Sequence, residues 1–331
     1  MKDTQGHFWR GKRCLITGGL GFGGSHLCEQ LLEGGANVCV LDHIYHPNSY
    51  LSLTGLINDV DYVKGDVRDI ALLKDTLEHF KVDTVFHLAA QPIVPLSNEL
   101  PFETLSVNAL GTYAVLEAMR TSTFGKALVF ASSGAYYGTT TQAAPITEDH
   151  PCLAASNIYA PSKVAGDTAV RCYAQVYGMK AAVCRFINTY GPGKTESSTI
   201  VPRAISNLME GTAYDFGDRD DGTTTLDYLH VRDMARGYIA VAEHLDEISG
   251  EAFNFGAGNQ ISVADLVKLI SNIFDGKERQ PIFNGLKRDI TLRKCLDIGK
   301  AQRLLGWQPQ ISLTDGLKET IEWYRQYWQR L

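Results

Sequence analysis

The chain has 331 residues, 44% of them hydrophobic and 21% charged, an ordinary globular composition that excludes a disordered or fibrous chain. A net charge of −6 without a basic run gives no footprint for nucleic acid, so an anionic ligand has to be met by local cations. The seven cysteines are scattered without a CxxC pair and read as reduced core thiols, with no disulfide frame and no metal site. No apolar leader or run of about 18 apolar residues stands out, so the expectation is a cytoplasmic protein, neither secreted nor membrane-spanning.

The first predicted strand, Arg13-Cys14-Leu15-Ile16, runs into Thr17-Gly18-Gly19-Leu20-Gly21-Phe22-Gly23-Gly24-Ser25-His26-Leu27, a glycine turn that opens an amphipathic segment. Strand, glycine turn and helix in that order suit a dinucleotide. Gly18, Gly21 and Gly24 permit the tight turn, the approach of a pyrophosphate and helix-on-strand packing, and the helix start offers free N–H groups. Such turns also occur for structural reasons alone, and the next strand decides. Asn37-Val38-Cys39-Val40-Leu41-Asp42 ends in a carboxylate 18 residues after Gly24, close to the spacing of about 20 expected for the residue that holds the adenosine ribose. His43 follows it, not arginine, so a 2′-phosphate finds no partner and the cofactor reads as NAD in preference to NADP.

A polar loop is expected over 43–58, then a short strand at Tyr62-Val63 leading to Asp66-Val67, candidates for the adenine pocket. Asp66 as a plain turn residue and Asp69 as a helix N-cap is an equal and compatible reading. Ile70–Phe80 has helical periodicity, and Asp83–Ala90 is a fourth strand whose small last residues leave space for a ligand. His87 within it is either a base or, as single strand-end histidines more often are, a packed core residue. A long helix is expected from Pro101 to Thr121, with Asn108 and Tyr113 toward the cofactor or a partner subunit. The fifth strand, Lys126–Ala131, delivers Ser132-Ser133-Gly134-Ala135 to the carboxyl edge of the sheet, where open α/β sheets bind ligands.

A helix from Ile158 to Tyr177 places Tyr159 and Lys163 on one face, and Ala181–Phe186 is the sixth strand. The alternation implies an α/β fold, a Rossmann-type doubly wound parallel sheet. Beyond Phe186 the rhythm changes. Helices over 200–210, 262–274, 300–305 and 313–327 point to a smaller C-terminal substrate-binding domain, while Asp227–Val231, 232–245 and Ala252–Gly256 return to the first. The expected partition is 1–187 with 226–258 for NAD, and 188–225 with 259–331 for substrate.

Tyrosine is a poor base in water, with a pKa of about 10, but a lysine one helical turn away favours its phenolate. A serine on the adjacent strand end can hold the substrate oxygen. Ser133, Tyr159 and Lys163 could together take a proton from an alcohol while hydride leaves the same carbon for NAD. Tyr-x-x-x-Lys alone is more often a helix edge; after a dinucleotide turn and a Ser-Ser strand end the catalytic reading wins.

These motifs, with Asn188-Thr189-Tyr190-Gly191-Pro192 and Leu304-Leu305-Gly306-Trp307, resemble the extended short-chain dehydrogenase/reductases, specifically the nucleotide-sugar epimerase/dehydratase family. The resemblance implies NAD contacted by Gly18, Gly21, Phe22, Gly24, Asp42, Asp66, Val67, Leu88, Ala89, Ala90, Asn108, Tyr159 and Lys163. It implies a nucleoside-diphosphate sugar between the domains, met by Gln91, Ser133, Asn188, Val201, Arg219 and Arg288, with Asn188 on the diphosphate. It also implies a homodimer built on the helices around 102–121 and 158–177. Phe8–Arg13 and Ala90–Val94 look most like the CDP-glucose 4,6-dehydratase branch.

The departures bear on reaction type. Dehydratases of this family carry an acidic or acid/lysine pair just after the catalytic hydroxyl, where this chain has Gly134 and Ala135. Leu226 precedes Asp227 where the family often has arginine, and the usual Arg-x-x-Asp pocket is shifted around Lys287-Arg288-Asp289, with Arg219 or Arg293 as compensation. The reading is an NAD-dependent nucleotide-sugar 4-epimerase acting through a transient 4-keto intermediate. The alternatives are a 4,6-dehydratase with relocated acid/base groups (His87, Glu103, Tyr136 or Cys152) and a 4-keto-sugar reductase. A catalytically silent NAD sensor is the alternative from another class, against which the intact Ser133, Tyr159 and Lys163 argue.

Overall fold

The computed structural model describes residues 8–138, 140–218, 220–284 and 292–331. Short apolar runs alternating with amphipathic segments form the strands β1 (Arg13–Thr17), β2 (Asn37–Asp42), β3 (Asp61–Lys64), β4 (Thr84–His87), β5 (Ala127–Ser133) and β6 (Lys180–Phe186). After them come β7 (Thr189–Tyr190), β8 (Thr225–Asp227), β9 (Leu229–His230), β10 (Ala252–Phe255), β11 (Gln260–Ser262) and β12 (Arg293–Lys294). The main sheet has seven strands in the order β10-β6-β5-β4-β1-β2-β3, every neighbouring pair parallel. The chain order reverses at β1, so the carboxyl ends of β1 and β4 frame the crevice in which such sheets take ligands.

Both faces of the sheet are apolar, as the strand period of two requires of a sheet covered on both sides. Cys14 and Ile16 face one layer with Leu27, Leu31, Phe86 and Phe253. Leu15 faces the other with Leu73, Val85, Leu116 and Val170. A further core gathers Tyr190, Val201, Ile205, Leu266, Ile270, Leu317, Ile321 and Trp323, beside the small sheet β11-β8-β12. Among the described residues no helix is long and apolar enough to cross a membrane, and no cluster of His, Cys, Asp and Glu could hold a metal.

Four local expectations are revised. The expected loop over 43–58 contains a short helix, Tyr50–Leu53, capped by Ser49, whose hydroxyl accepts from Ser52 N at 3.1 Å; burial of Tyr50, Leu51 and Leu53 stabilises it. The expected helix 101–121 is Pro101–Leu105, one π turn over Ser106–Leu110, and Gly111–Thr121. The expected strand 227–231 is split between two sheets: β8 pairs with β11 and β12, and β9 pairs with β7. Within it Tyr228 joins the further core while Leu229 and Val231 join the layer under the main sheet, so the chain passes from one core to the other within a few residues.

The helix Gly299–Leu305, expected with the smaller domain, packs instead on the main sheet. Trp307, just past it, lies edge-on to Phe255 with ring centroids 4.8 Å apart and donates Nε1–H to Asp233 O at 3.2 Å. Trp307→Ala should therefore destabilise the main-sheet unit by about 3–5 kcal/mol in urea unfolding. A loss under about 1 kcal/mol would show that this helix is not part of that core.

Candidate active site

The glycine turn follows β1. Gly18 has φ +71°, and a Cβ there would stand 2.7 Å from the backbone of Ala89; at Gly24 it would stand 2.3 Å from Gly18 O. Neither position can carry a side chain without moving backbone. The helix Phe22–Glu33 starts at Gly21 without a side-chain cap, so its first N–H groups are left for an anion. Asp42, 7% exposed at the end of β2, overhangs this turn: Oδ2 accepts from Leu20 N at 3.2 Å and Oδ1 from His43 N at 2.9 Å. Both oxygens keep acceptor capacity for ribose hydroxyls.

Leu88, Ala89 and Ala90 continue from β4 past the glycine turn, with Leu88 N donating to Thr17 O at 3.1 Å. His87 is the packed residue of its two readings. Its Nδ1 lies 2.7 Å from Thr17 Oγ1 and its Nε2 3.1 Å from Thr112 Oγ1, and burial, with the Lys163 charge, draws its pKa down to about 3. The Asp66 carboxylate receives Arg68 Nε at 2.9 Å, which holds it below the ordinary carboxylate range, and Asp69 caps the helix Ile70–His79, accepting from Leu72 N at 3.0 Å. Val67 is buried against Gly111.

The π turn directs Asn108 inward. Its amide accepts from Gln91 N at 2.7 Å and donates to Gln91 O at 3.1 Å and to Ser162 Oγ at 2.9 Å. Asn108 thus ties the segment after β4 to the helix Tyr159–Tyr177, a service for which a widened turn is a common device. The Gln91 side chain is held in turn by Thr104 Oγ1 at 2.9 Å and Ile93 N at 2.6 Å.

Ser133 ends β5, and its hydroxyl accepts from Ala135 N at 3.1 Å, starting the turn Gly134–Tyr137. Burial raises the Tyr159 phenol above its ordinary pKa, and the neighbouring Ser133 hydroxyl opposes that rise. Lys163, 4% exposed, donates to Ala131 O at 2.8 Å and sits over the Phe130 ring; burial brings its pKa down to about 8. The expected lowering of the phenol is not seen: burial is the leading influence and raises it, and the Lys163 ammonium is turned to a strand carbonyl.

Three further groups were not foreseen. Ser97, on the helix Val94–Glu99, accepts from Tyr159 N at 3.2 Å, and Asn98 accepts from Ile158 N at 3.2 Å, so a neighbouring segment caps the Tyr159 helix. Lys194 places its ammonium 5.4 Å from the Phe22 ring at the helix start, donating to Thr189 O at 2.6 Å. Behind Ser133, Arg185 on β6 pairs with Asp167 on the Tyr159 helix through Nε–Oδ2 at 2.9 Å and Nη2–Oδ1 at 3.0 Å. Asp167 also accepts from Ser132 Oγ at 2.8 Å, and Arg185 Nη1 donates to Tyr137 Oη at 2.8 Å. A lone arginine inside the apolar run Ala181–Phe186 was the visible signal for this pair.

On the substrate side, Asn188 is exposed at φ +32° and donates Nδ2–H to Asp227 O at 3.1 Å, while Val201 is buried at the start of the helix Ile200–Glu210. Arg219 and Arg288, with Lys287 and Asp289, lie outside the described residues. The candidates of the cofactor crevice and the Ser133, Tyr159 and Lys163 group thus meet at the carboxyl ends of β1, β4 and β5.

The family model for GDP-mannose 4,6-dehydratase matches residues 15–320. The chain belongs to this family, the nucleotide-sugar epimerases and dehydratases of the extended short-chain dehydrogenase/reductases. It is 33% identical to a UDP-glucose 4-epimerase of Mycolicibacterium smegmatis over 95% of this chain and 98% of that one. Among solved structures it is similar to a UDP-glucose 4-epimerase from Thermotoga maritima with UDP-glucose, at TM-score 0.85 and 28% identity over 96% of this chain and 99% of that one. It is likewise similar to a dTDP-glucose 4,6-dehydratase from Streptomyces venezuelae with NAD bound, at TM-score 0.84 and 30% identity over 95% and 97%.

The epimerase/dehydratase cofactor, NAD, fits this crevice. The missing Cβ atoms of Gly18 and Gly24 let the turn fold closely against the backbone of Ala89 and of Gly18, uncapped N–H groups stand at the helix start, and the buried Asp42 carboxylate stands at the end of β2, the arrangement a dinucleotide needs. The enzyme should accordingly prefer NAD to NADP, because Asp42 repels a 2′-phosphate. Asp42→Ser should erode the preference by about 1–3 kcal/mol in calorimetric titrations with the two cofactors. Equal affinity of the unaltered protein for both would remove Asp42 from this role.

Proposed function

We propose that the chain is an NAD-dependent nucleotide-sugar 4-epimerase, inverting C4 of a nucleoside-diphosphate sugar through a transient 4-ketone. The turn after Ser133 carries this reading. Gly134 and Ala135 have no group that moves a proton, and a side chain at Gly134 would begin 3.3 Å from Phe186 O. Two of the groups that could replace a dehydratase acid and base are engaged elsewhere, His87 between two threonines and Glu103 with Arg68 at 3.1 Å, and the Tyr136 ring lies against the Arg185 guanidinium, 3.6 Å from its centroid. Cys152 is exposed. Elimination of water from C5 and C6 needs such groups, whereas inversion at C4 needs proton exchange at one oxygen. The 33% identity to a UDP-glucose 4-epimerase supports the same choice.

In this reading Tyr159 takes the 4-hydroxyl proton and later returns it, while Ser133 holds the same oxygen. Lys163 keeps positive charge beneath the pair. Bound NAD supplies the hydride acceptor and donor for C4. The sheet and its two layers hold the cofactor, and residues around the further core, including Asn188 and Val201, hold the nucleotide. A homodimer completes the proposal: Phe102, Leu105, Leu110, Tyr113 and Tyr177 are exposed on the helices at 101–121 and 159–177, with Leu100 exposed just before them, and Phe102 is 79% exposed.

A panel of UDP-, dTDP-, GDP- and CDP-sugars in heavy water tests the reaction type. The expected product keeps its substrate's mass, needs no added cofactor and carries no solvent deuterium on carbon. A product that has lost water and gained deuterium would establish dehydration instead.

Tyr159→Phe should lower kcat by a factor on the order of 100 or more while NAD and substrate affinities stay nearly constant. Because burial raises the Tyr159 phenol, the phenolate fraction and kcat/KM should climb from neutral into alkaline pH, and that limb should vanish in the variant. Near-normal turnover by Tyr159→Phe would assign the proton transfer to another group.

A further inference from the structure

Residues 293–297 are extended and stitched to the segment that follows the catalytic turn: Arg293 N donates to Thr140 O at 3.0 Å, Ile146 N to Cys295 O at 2.9 Å and Asp297 N to Ile146 O at 2.8 Å. Side chains alternate along such a segment. Cys295 faces the Asp227 carboxylate, with Sγ 4.0 Å from Oδ2. Leu296 faces the other way, packing with Tyr137, Ile146 and Ile187, its Cδ1 3.5 Å from where a Gly134 Cβ would stand. Lys294, two residues before Leu296, issues on that same side. Its register partner on β8 is Leu226, which packs on the further core. The Lys294 side chain therefore starts between that core and the turn that carries Ser133.

Among the described residues this cation has no counterpart. Lys163 donates to Ala131 O, Lys194 to Thr189 O and Lys300 to Glu251, but among the described residues nothing accepts a hydrogen bond from the Lys294 ammonium. Burial brings its pKa down to about 8. Lys294 is half-buried, and an ammonium taken partly from water without a partner among the described residues is stabilised by an anion placed beside it.

We propose that Lys294 is a substrate-recognition residue that meets an anionic oxygen group of the nucleotide sugar, either a carboxylate on the sugar or the diphosphate. The proposal rests on the nucleotide-sugar reading above.

The test is calorimetric titration of the NAD-loaded Tyr159→Phe protein, in which turnover should be slowed about 100-fold or more, with and without Lys294→Met or Lys294→Arg, using UDP, UDP-glucose and UDP-glucuronate. Lys294→Met should weaken binding about tenfold or more, for all three ligands if the group met is the diphosphate and for UDP-glucuronate alone if it is the carboxylate. Lys294→Arg should restore most of the affinity in either case. Affinities within about twofold for all three ligands in Lys294→Met overturn the proposal. If the Tyr159→Phe protein with Lys294 intact binds none of the three, the uridine nucleotide-sugar reading falls first and the proposal with it. Melting without ligand gives an independent readout: Lys294→Met should melt at the same or a higher temperature, and a clear fall would show an ammonium paired within the protein.

Discussion

A guanidinium and a carboxylate, both shut off from water, set the spacing of the Ser133, Tyr159 and Lys163 group. Arg185 and Asp167 are 1% and 0% exposed and joined by two hydrogen bonds. Removing one partner of such a pair typically costs about 3–5 kcal/mol, because the other charge remains buried. Asp167 stands one turn beyond Lys163 and two beyond Tyr159, while its other contact, Ser132, immediately precedes Ser133. The strand end and the helix are thereby held at one separation. Through Tyr137 and Asn254, linked at 2.7 Å, the same network reaches β10 and Ile146. Its role is geometric: it fixes where the Ser133 and Tyr159 oxygen atoms stand before any ligand arrives.

The parallel sheet covered on both faces and the glycine-turn crevice were legible because each depends on local pattern. Two-faced apolar strands, a glycine turn and an acid at the end of β2 are contiguous in sequence, and backbone sterics at Gly18 and Gly24 leave little choice. Ser133, Tyr159 and Lys163 were legible for a related reason, since a strand end and a helical spacing of four are local rules. The expected phenolate was not obtained from spacing, because burial of the Tyr159 hydroxyl and the turning of Lys163 to Ala131 O depend on tertiary surroundings.

What stayed hidden was non-local. Ser97 and Asn98 cap a helix 60 residues away, and no pattern around them announces it. The π turn at Ser106–Leu110 interrupts a segment whose composition reads as plain helix; the insertion is paired with the bonds Asn108 makes to Gln91 and Ser162. The segment 227–231 has strand-like residues throughout, yet Asp227 accepts N–H groups from Ala257 at 2.9 Å and Gly258 at 3.1 Å and anchors that loop while the chain changes sheets. Arg219 and Arg288 remain expectations outside the described residues.

That change of sheets bears on how the protein can be recombined. Tyr228 belongs to one core while Leu229 and Val231 belong to the other, and the helix Gly299–Leu305 returns to the main sheet after β12 has paired with β8. The part of the chain around the further core is therefore woven through the main-sheet unit and is not an appended cassette. A chimera cut at a single point after Phe186 would separate side chains that share a core, even between relatives of identical fold. Exchange of specificity within this family would instead proceed by substitution at scattered positions on short strands such as β12, whose backbone both halves hold in place.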